Sequence, residues 1–258
     1  MTSNINYIQL AEKLQCCVII PTFNNANTLQ AVIDDVRKYV SVIVVVNDGS
    51  TDKTSDVLSA CSGVTVISYK PNKGKGYALR KGFKHAVASG FRYAITLDSD
   101  GQHMAADIPL FLDEIQRYPE SLIVGSRLLM HENMPGGSTF ANKFSNFWFR
   151  LQTGVNLPDT QSGFRLYPLN KIADMHFVTN RYEAELEMLV RAAWRGINLI
   201  NIAIRVYYPP VEARVSHFRP YKDFFRISVL NTFITIIAFV YAYPAKLISR
   251  LMRIGGIL

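Results

Sequence analysis

Short apolar segments alternate with amphipathic segments along the first half of the chain. Continuous apolar runs predict buried strands, and they lie at 17–20, 42–46, 64–69, 93–97 and 122–125. Apolar residues at helical spacing separate them, at 28–39, 51–60, 77–89 and 107–118. Strands that alternate with helices in this way indicate an α/β domain with a parallel central sheet and helices on both faces.

The pattern is looser after residue 130. A loop containing Gly and Pro is predicted at 130–139, followed by an aromatic-rich helix at 141–153. An amphipathic helix at 181–195 and a strand at 199–207 come next. We expect one domain over residues 1–225 and a separate C-terminal segment over 226–258.

That C-terminal segment begins with a run, Ile227 to Ala245, that contains no charged residue. A membrane-spanning helix needs about 20 predominantly apolar residues, and polar residues and a proline interrupt this run. Cations flank it at Arg226, Lys246, Arg250 and Arg253. We interpret the run as an interfacial or re-entrant helix that contacts an anionic membrane surface. The alternative is a helix buried in the core or in an oligomer interface.

The net charge of +8 is concentrated at the same end of the chain. Residues 192–258 contain 9 Lys and Arg against 2 Asp and Glu. Such localisation indicates an anionic partner. The composition, 49% hydrophobic and 19% charged, excludes wholesale disorder, and three cysteines without a CxxC pair exclude a disulfide scaffold. No secretory signal is apparent at the N-terminus.

Polar clusters follow four of the predicted strands directly. They are Pro21-Thr22, Asn47-Asp48, Lys70-Pro71 and Asp98-Ser99-Asp100. Because open α/β sheets bind ligands at the carboxyl ends of their strands, this placement predicts a ligand site there.

Asp98 and Asp100 are the sharpest chemical signal in the chain. Two carboxylates two residues apart after a buried strand can share a divalent cation, and Mg²⁺ or Mn²⁺ prefers such oxygen ligands. Gln102 and His103 follow and could add a ligand or a water-mediated contact. The alternative is a polar turn, since Asp-Ser-Asp-Gly is also good turn chemistry.

Two upstream motifs suit a nucleotide. Asp48 could accept hydrogen bonds from a base edge or a ribose hydroxyl, although Asp48-Gly49 with Ser50 also suits a turn and a helix cap. The segment 72–76 is a Gly/Lys loop that enters a helix, where backbone N–H groups can bind phosphate. A solvated loop is the alternative for that segment.

Taken together, these segments resemble the family 2 glycosyltransferases, which have the GT-A fold, a Rossmann-like and mostly parallel sheet flanked by helices. The matching motifs are 18–24, 46–52, 72–79 and 98–103, in register across roughly residues 16–220. Asp98-Ser99-Asp100-Gly101-Gln102-His103 together with the segment 159–165 looks most like the polyprenol-phosphate branch, the dolichol-phosphate mannose synthase type.

The resemblance implies roles for individual residues. A nucleotide-sugar donor would contact Pro21, Thr22, Asn24, Asp48, Lys75, Asp98 and Ser99. Mg²⁺ or Mn²⁺ would bind Asp98, Asp100 and Gln102. One departure concerns Asn25, where the family often has Glu, so a charged contact at this position is lost.

The acceptor side is assigned to basic residues. The resemblance gives Arg127 a place facing the donor or acceptor phosphate. Arg165, Arg214, Ser216 and Arg219 are further candidates for the acceptor phosphate, because Arg binds phosphate in a bidentate way. A solvated basic loop is the alternative around Arg214.

Asp159 is the candidate general base, and with Arg127 and Arg165 it completes the expected catalytic set. A sugar hydroxyl would need such a carboxylate, whereas a phosphomonoester, with a second pKa of about 6, is already ionised at neutral pH. Asp159 could instead orient Arg165 or cap a turn. Glu183, Glu185 and Glu187 are interpreted as helix-face charges.

The sequence therefore predicts a metal-dependent, inverting transfer of a sugar from a UDP- or GDP-sugar to a membrane-associated acceptor, with polyprenyl phosphate expected. The alternatives are transfer to a glycan or lipid hydroxyl, and a non-catalytic module that binds nucleotide sugar or anionic lipid. Nucleic acid is not expected as a partner, because the basic residues flank an apolar run instead of lying on a recognition helix. The expected location is the cytoplasmic face of the cell membrane, with peripheral or monotopic attachment.

Overall fold

The computed structural model describes residues 5–127, 136–208 and 220–245 of the chain. Within these ranges, seven strands form one sheet. The strands are β1 Cys16–Thr22, β2 Ile43–Asp48, β3 Thr65–Tyr69, β4 Tyr93–Thr96, β5 Leu122–Arg127, β6 Arg165–Pro168 and β7 Leu199–Ile204. Their order in the sheet is β3-β2-β1-β4-β6-β5-β7. Only β6 runs antiparallel to its neighbours, β4 and β5. The predicted mostly parallel α/β sheet is confirmed.

Helices cover both faces of the sheet. They are α1 Tyr7–Lys13, α2 Leu29–Val36, α3 Thr54–Ala60, α4 Lys75–Ala88, α5 Ile108–Arg117, α6 Gly136–Thr153, α7 Leu169–Ile172, α8 Glu183–Trp194 and α9 Pro220–Ile237. One core layer joins the sheet to α4, α8 and α9, and the other joins it to α2 and α5. Alternate residues of β1 supply the two layers, with Ile19 in the first and Ile20 in the second.

Strand β6 and the short helices α1 and α7 were not predicted from the sequence. Strand β6 has only four residues and begins with a charged residue, Arg165, so it shows no apolar run. Helix α1 is also short, and the Asn6 side chain caps it by accepting hydrogen bonds from the N–H groups of Ile8 and Gln9.

Helix α9 attaches to the domain along one stripe. Leu230, Ile234, Ala238 and Ala242 recur every four residues and are buried. The Gln152 amide of α6 donates to Asn231 Oδ1 at 2.9 Å and to Thr235 Oγ1 at 3.1 Å. The helix continues through a π-helical turn at Ala238–Ala242.

The other side of this helix is apolar and exposed. Phe225, Phe233, Val240 and Tyr241 each expose more than 60% of their surface. The segment Phe225–Ala245 is long and apolar enough to cross a membrane by length and composition alone, and 28% of its most apolar 18-residue stretch is buried. The predicted C-terminal apolar helix is therefore present up to Ala245, while 246–258 lie outside the described residues.

Helices α4 and α8 approach each other closely at Gly76. A Cβ added there would lie 2.2 Å from the Cβ of Ala184 and 3.0 Å from the backbone of Asn180. The Asn180 atom belongs to the main chain and the Ala184 Cβ is bonded directly to it, so neither atom can shift without moving the backbone. This contact sets the spacing between the first turns of the two helices.

We expect Gly76→Ala to destabilise the protein by about 1–3 kcal/mol through overpacking. Helix propensity alone predicts the opposite sign, a gain of up to about 1 kcal/mol. Urea unfolding measures the difference, with Lys81→Ala on the exposed side of α4 as the control, expected within about 0.5 kcal/mol of the parent protein. A more stable Gly76→Ala protein would contradict the close approach.

Candidate active site

The carboxyl ends of three neighbouring strands build the candidate site. Strand β1 pairs with β2 on one side and β4 on the other, so the ends of all three lie at one edge. Thr22 ends β1, Asp48 ends β2, and Asp98 to Asp100 follow β4. The Thr22 hydroxyl is buried and has no hydrogen-bond partner among the described residues. A donor or acceptor supplied by a ligand would satisfy it.

Asp48 holds the Gly/Lys loop. Its Oδ1 accepts from the N–H of Lys73 at 2.7 Å, and its Oδ2 accepts from the N–H of Gly74 at 2.7 Å and the Asn72 amide at 2.9 Å. The loop packs on Gly49, where a Cβ would lie 2.6 Å from the Asn72 nitrogen. A carboxylate offers about four acceptor sites, so Asp48 keeps little capacity for a nucleoside beyond its structural role.

Asn24 joins the loop after β1 to the loop after β2. Its backbone N–H donates to Ser50 Oγ at 3.0 Å, and its Oδ1 accepts from the N–H of Thr51 at 2.8 Å. Its φ of +53° is left-handed, a conformation that Asn tolerates better than most residues. Asn24 therefore fixes the relative positions of these two loops at the edge of the sheet. Pro21, near the end of β1, is buried.

Asn25 and Thr28 fix Ser99 between the two acidic residues. The Asn25 amide donates to Ser99 Oγ at 2.7 Å, and Thr28 Oγ1 donates to the Ser99 carbonyl at 2.6 Å. Here a neutral amide occupies the position where the family often has a carboxylate. The departure noted in the sequence therefore gives a direct link to the Asp98-Ser99-Asp100 turn.

A chain of three mostly buried charged side chains connects this turn to two helices. Lys75 Nζ of α4 lies 2.6 Å from Asp98 Oδ1 and 2.9 Å from Glu185 Oε2 of α8. Burial disfavours the Lys75 ammonium, yet Asp98 and then Glu185 more than offset it and raise its pKa. Burial likewise opposes ionisation of Asp98, and Lys75 outweighs it to lower that pKa. Both groups are charged at neutral pH.

Asp100 completes a pair of oxygen donors. Burial and then the neighbouring Asp98 raise the pKa of Asp100, as expected for two carboxylates that share a site without a cation. Its Oδ1 accepts from the N–H of Gln102 at 3.0 Å. The described residues contain no group of three or more His, Cys, Asp or Glu that could hold a metal.

This donor set still fits Mg²⁺ or Mn²⁺. Mg²⁺ usually takes one or two carboxylates and completes its shell with substrate phosphates and water. Asp98, Asp100 and the Gln102 amide offer hard oxygens of that kind. Gly163 leaves the necessary space, since a Cβ there would lie 2.6 Å from Lys75 Nζ and 2.7 Å from Asp98 Oδ2.

Arg127 and Asp159 form a buried bidentate pair at the end of β5. Arg127 Nε donates to Asp159 Oδ2 at 2.6 Å and Nη2 donates to Oδ1 at 2.9 Å. Oδ1 also accepts from the N–H groups of Gln161 and Ser162. Asp159 is fully buried and all its acceptor sites are occupied. These contacts correct the expectation of a free general base: Asp159 caps a turn and orients Arg127.

Arg165 requires a second correction. It is fully buried, and its guanidinium donates to the carbonyls of Ser162 at 2.7 Å, Thr160 at 2.9 Å and Glu185 at 2.7 Å. These donors bind protein oxygens and do not reach a phosphate at the edge of the sheet. Arg165 instead joins the loop that holds Asp159 to the first turn of α8.

The remaining acceptor candidates Arg214, Ser216 and Arg219 lie outside the described residues. The structure also corrects the interpretation of the three α8 glutamates as helix-face charges. Glu183, Glu185 and Glu187 are all buried, and Glu187 accepts from the N–H groups of Val178 and Thr179 and from Arg191. Sequence reasoning missed Glu185 because its partner Lys75 is 110 residues away. The sequence signal that could have indicated a buried partner was Lys75, placed at the start of a helix that packs on an apolar sheet.

A mostly parallel α/β sheet with an acidic turn after β4 is the arrangement expected of a GT-A fold, and comparison with known proteins identifies the family. Residues 17–170 match the family described as Glycosyl transferase family 2. The chain belongs to this family.

Several relatives share most of the chain. An uncharacterised protein of Methanocaldococcus jannaschii is 31% identical and covers 80% of this chain and 86% of its own length. The UDP-N-acetylglucosamine--dolichyl-phosphate N-acetylglucosaminyltransferase of Methanococcus voltae is 28% identical, with coverage of 86% and 98%. The undecaprenyl-phosphate mannosyltransferase of Micrococcus luteus is 26% identical, with coverage of 74% and 83%. These relatives support the polyprenol-phosphate branch.

Solved structures confirm the fold. Glucosyl-3-phosphoglycerate synthase from Mycobacterium tuberculosis, in complex with Mn²⁺, UDP and phosphoglyceric acid, superposes with a TM-score of 0.64. The alignment covers 92% of this chain and 81% of that one, at 19% identity. At this identity the likeness shows the GT-A fold alone.

We expect Asp159→Asn to lower the free energy of unfolding by about 3–5 kcal/mol, because it leaves the Arg127 guanidinium without its buried counter-charge. Asp174→Asn is the matched control. It removes an Asp whose side chain is 76% exposed and pairs with Arg195, and we expect a loss below about 1 kcal/mol. Urea unfolding checks both. Equal losses in the two variants would show that the buried pair adds nothing beyond a surface pair.

Proposed function

We propose that this glycosyltransferase moves a sugar from a UDP- or GDP-sugar to the phosphate of a polyprenyl phosphate, with a divalent cation and with inversion at the anomeric carbon. The observation that carries the proposal is the meeting of Thr22, Asp48 and the Asp98–Asp100 turn at one edge of the sheet in a family 2 chain. Relatives named for transfer to dolichyl phosphate and undecaprenyl phosphate support the acceptor class.

The donor diphosphate would meet the charged groups after β4. Asp98, Asp100 and Gln102 would hold Mg²⁺ or Mn²⁺, which would supply Lewis-acid stabilisation of the leaving diphosphate. Lys75 adds a fixed positive charge 2.6 Å from Asp98. A preorganised charge of this kind stabilises the developing negative charge without rearranging during the reaction. The loops held by Asn24 and Asp48 would form the part of the site that binds the nucleoside.

The occupied carboxylate of Asp159 favours a phosphate acceptor over a hydroxyl. A hydroxyl needs a group that takes its proton, and the expected base has no free acceptor site. A phosphomonoester is largely ionised at neutral pH and attacks without that help. Direct in-line attack of its oxygen on the anomeric carbon, opposite the leaving diphosphate, gives inversion.

The exposed apolar side of α9 supports attachment to a membrane, where a polyprenyl chain resides. The buried stripe on the opposite side keeps the helix against α6 and α8, as monotopic attachment requires. We place the site at the cytoplasmic face, where nucleotide sugars are available, and treat 1–225 as the transferase domain and 226–258 as the anchoring segment.

The direct test supplies purified protein with Mn²⁺ or Mg²⁺, a panel of UDP- and GDP-sugars and a polyprenyl phosphate in detergent. We expect metal-dependent nucleoside diphosphate release that Asp100→Asn lowers by at least about 100-fold, since it removes one of two carboxylate ligands. Asp56→Asn, on the exposed side of α3, is the control and is expected to keep full activity. Release that is insensitive to Asp100→Asn would refute the proposed metal site.

A second experiment separates the two acceptor classes. The same prenyl chain is offered as its phosphate and as its free alcohol, and glycosylated lipid is measured by mass spectrometry. We expect product from the phosphate and at least about 100-fold less from the alcohol, because the Asp159 carboxylate is occupied by protein donors and is not free to take a hydroxyl proton. Efficient glycosylation of the alcohol would move the acceptor to a hydroxyl. No product and no release with any donor would favour a binding module.

A further inference from the structure

A basic pocket lies beside the candidate active site and has no role in the proposed sugar transfer. Its volume is about 640 Å³, and it opens between the start of α4, the loop before α8 and the first turns of α9. The four cations in its lining are Lys73, Arg80, Arg181 and Arg226. Glu183 is the single acidic residue of the lining. The pocket therefore carries an excess of positive charge.

These cations have few counter-charges among the described residues. Arg226 has the one ion pair of the four, with Asp223 at 3.5 Å. Arg80 donates to the neutral oxygens of Thr179 and Asn180, and Arg181 to Asn72 Oδ1 at 3.4 Å. Lys73 lies 4.7 Å from the centre of the Tyr77 ring. Burial lowers the pKa of Arg80, and the opposing effect of Glu187 does not offset that burial.

The pocket is separate from the donor edge. Asn72 stands between them, donating to Asp48 on one side and accepting from Arg181 on the other. Lys75 points inward to Asp98, while Lys73 and Tyr77 line the pocket. Neither Asp48, Asp98 nor Asp100 belongs to its lining.

The pocket also adjoins the exposed apolar side of α9. Arg226 is in its lining, and the neighbouring Phe225 exposes 68% of its surface, followed along the helix by Val229 and Phe233. Cations next to exposed apolar side chains match the boundary between lipid headgroups and acyl chains. A soluble anion would gain nothing from those apolar neighbours.

We propose that this pocket binds the phosphate-bearing headgroup of an anionic membrane lipid and so fixes the orientation of α9 on the bilayer. The site is distinct from the acceptor phosphate site. The inference rests on the membrane attachment proposed above. It goes beyond a general attraction to negative membranes because it names a saturable pocket formed by α4, the loop before α8 and Arg226 of α9.

The test measures co-flotation of the full chain with vesicles of phosphatidylcholine alone or with about 30% phosphatidylglycerol. We expect Lys73→Gln/Arg181→Gln to weaken binding to the anionic vesicles by about tenfold and to leave binding to neutral vesicles unchanged. The control Lys13→Gln/Lys38→Gln removes the same charge from exposed positions outside the pocket and is expected to change binding less than about twofold. Thermal melting checks folding, and Lys73→Gln alone replaces the double variant if that one unfolds.

Two results would overturn the proposal. Equal weakening by the pocket variant and the control would show diffuse attraction, and no weakening by the pocket variant would show that the pocket does not meet the membrane. Sugar transfer by the parent protein in detergent, without vesicles, tests the proposed function independently.

Discussion

The ion pair between Lys75 and Asp98, shared with Glu185, is the interaction on which the candidate site depends. It joins the first turn of α4, the residue after β4 and the first turn of α8 through side chains that are mostly buried. A buried charge without its partner costs several kcal/mol, so Asp98 and Glu185 both depend on the Lys75 ammonium. The acidic turn that would hold a cation and a diphosphate is therefore fixed before either arrives.

Neighbouring residues position the three charged side chains of this network. Gly76 lets α4 and α8 approach closely enough for Lys75 and Glu185 to meet, and Gly163 leaves the space that a side chain would fill. Arg165 binds the carbonyl of Glu185 and the loop around Asp159, so the same network reaches Arg127. Two residues expected to act on substrate are thus bound to protein groups, and the proposed phosphate acceptor is one that needs no proton removed by Asp159.

The sequence predicted those elements and site residues that a local pattern of apolar and polar residues encodes. Strands β1 to β5 and the polar ends of β1, β2 and β4 follow from apolar runs and the residues after them, so Thr22, Asp48 and Asp98 were found. Strand β6 was missed because four residues beginning with Arg165 carry no periodic signal. The burial of Glu185 and the saturation of Asp159 depend on partners 110 and 32 residues away, and no local spacing encodes such contacts.

Helix α9 and the basic pocket, which we propose to face a membrane, lie next to this network of charges. Glu185 shares the Lys75 ammonium and so leaves Asp98 less neutralised for a cation. Calorimetric titration of Mn²⁺, with saturating UDP, into the parent protein, Glu185→Gln and the exposed control Glu12→Gln tests this most directly. The account predicts Mn²⁺ affinity weakened by about tenfold or more in Glu185→Gln and unchanged in the control. Equal affinity in all three proteins would contradict it.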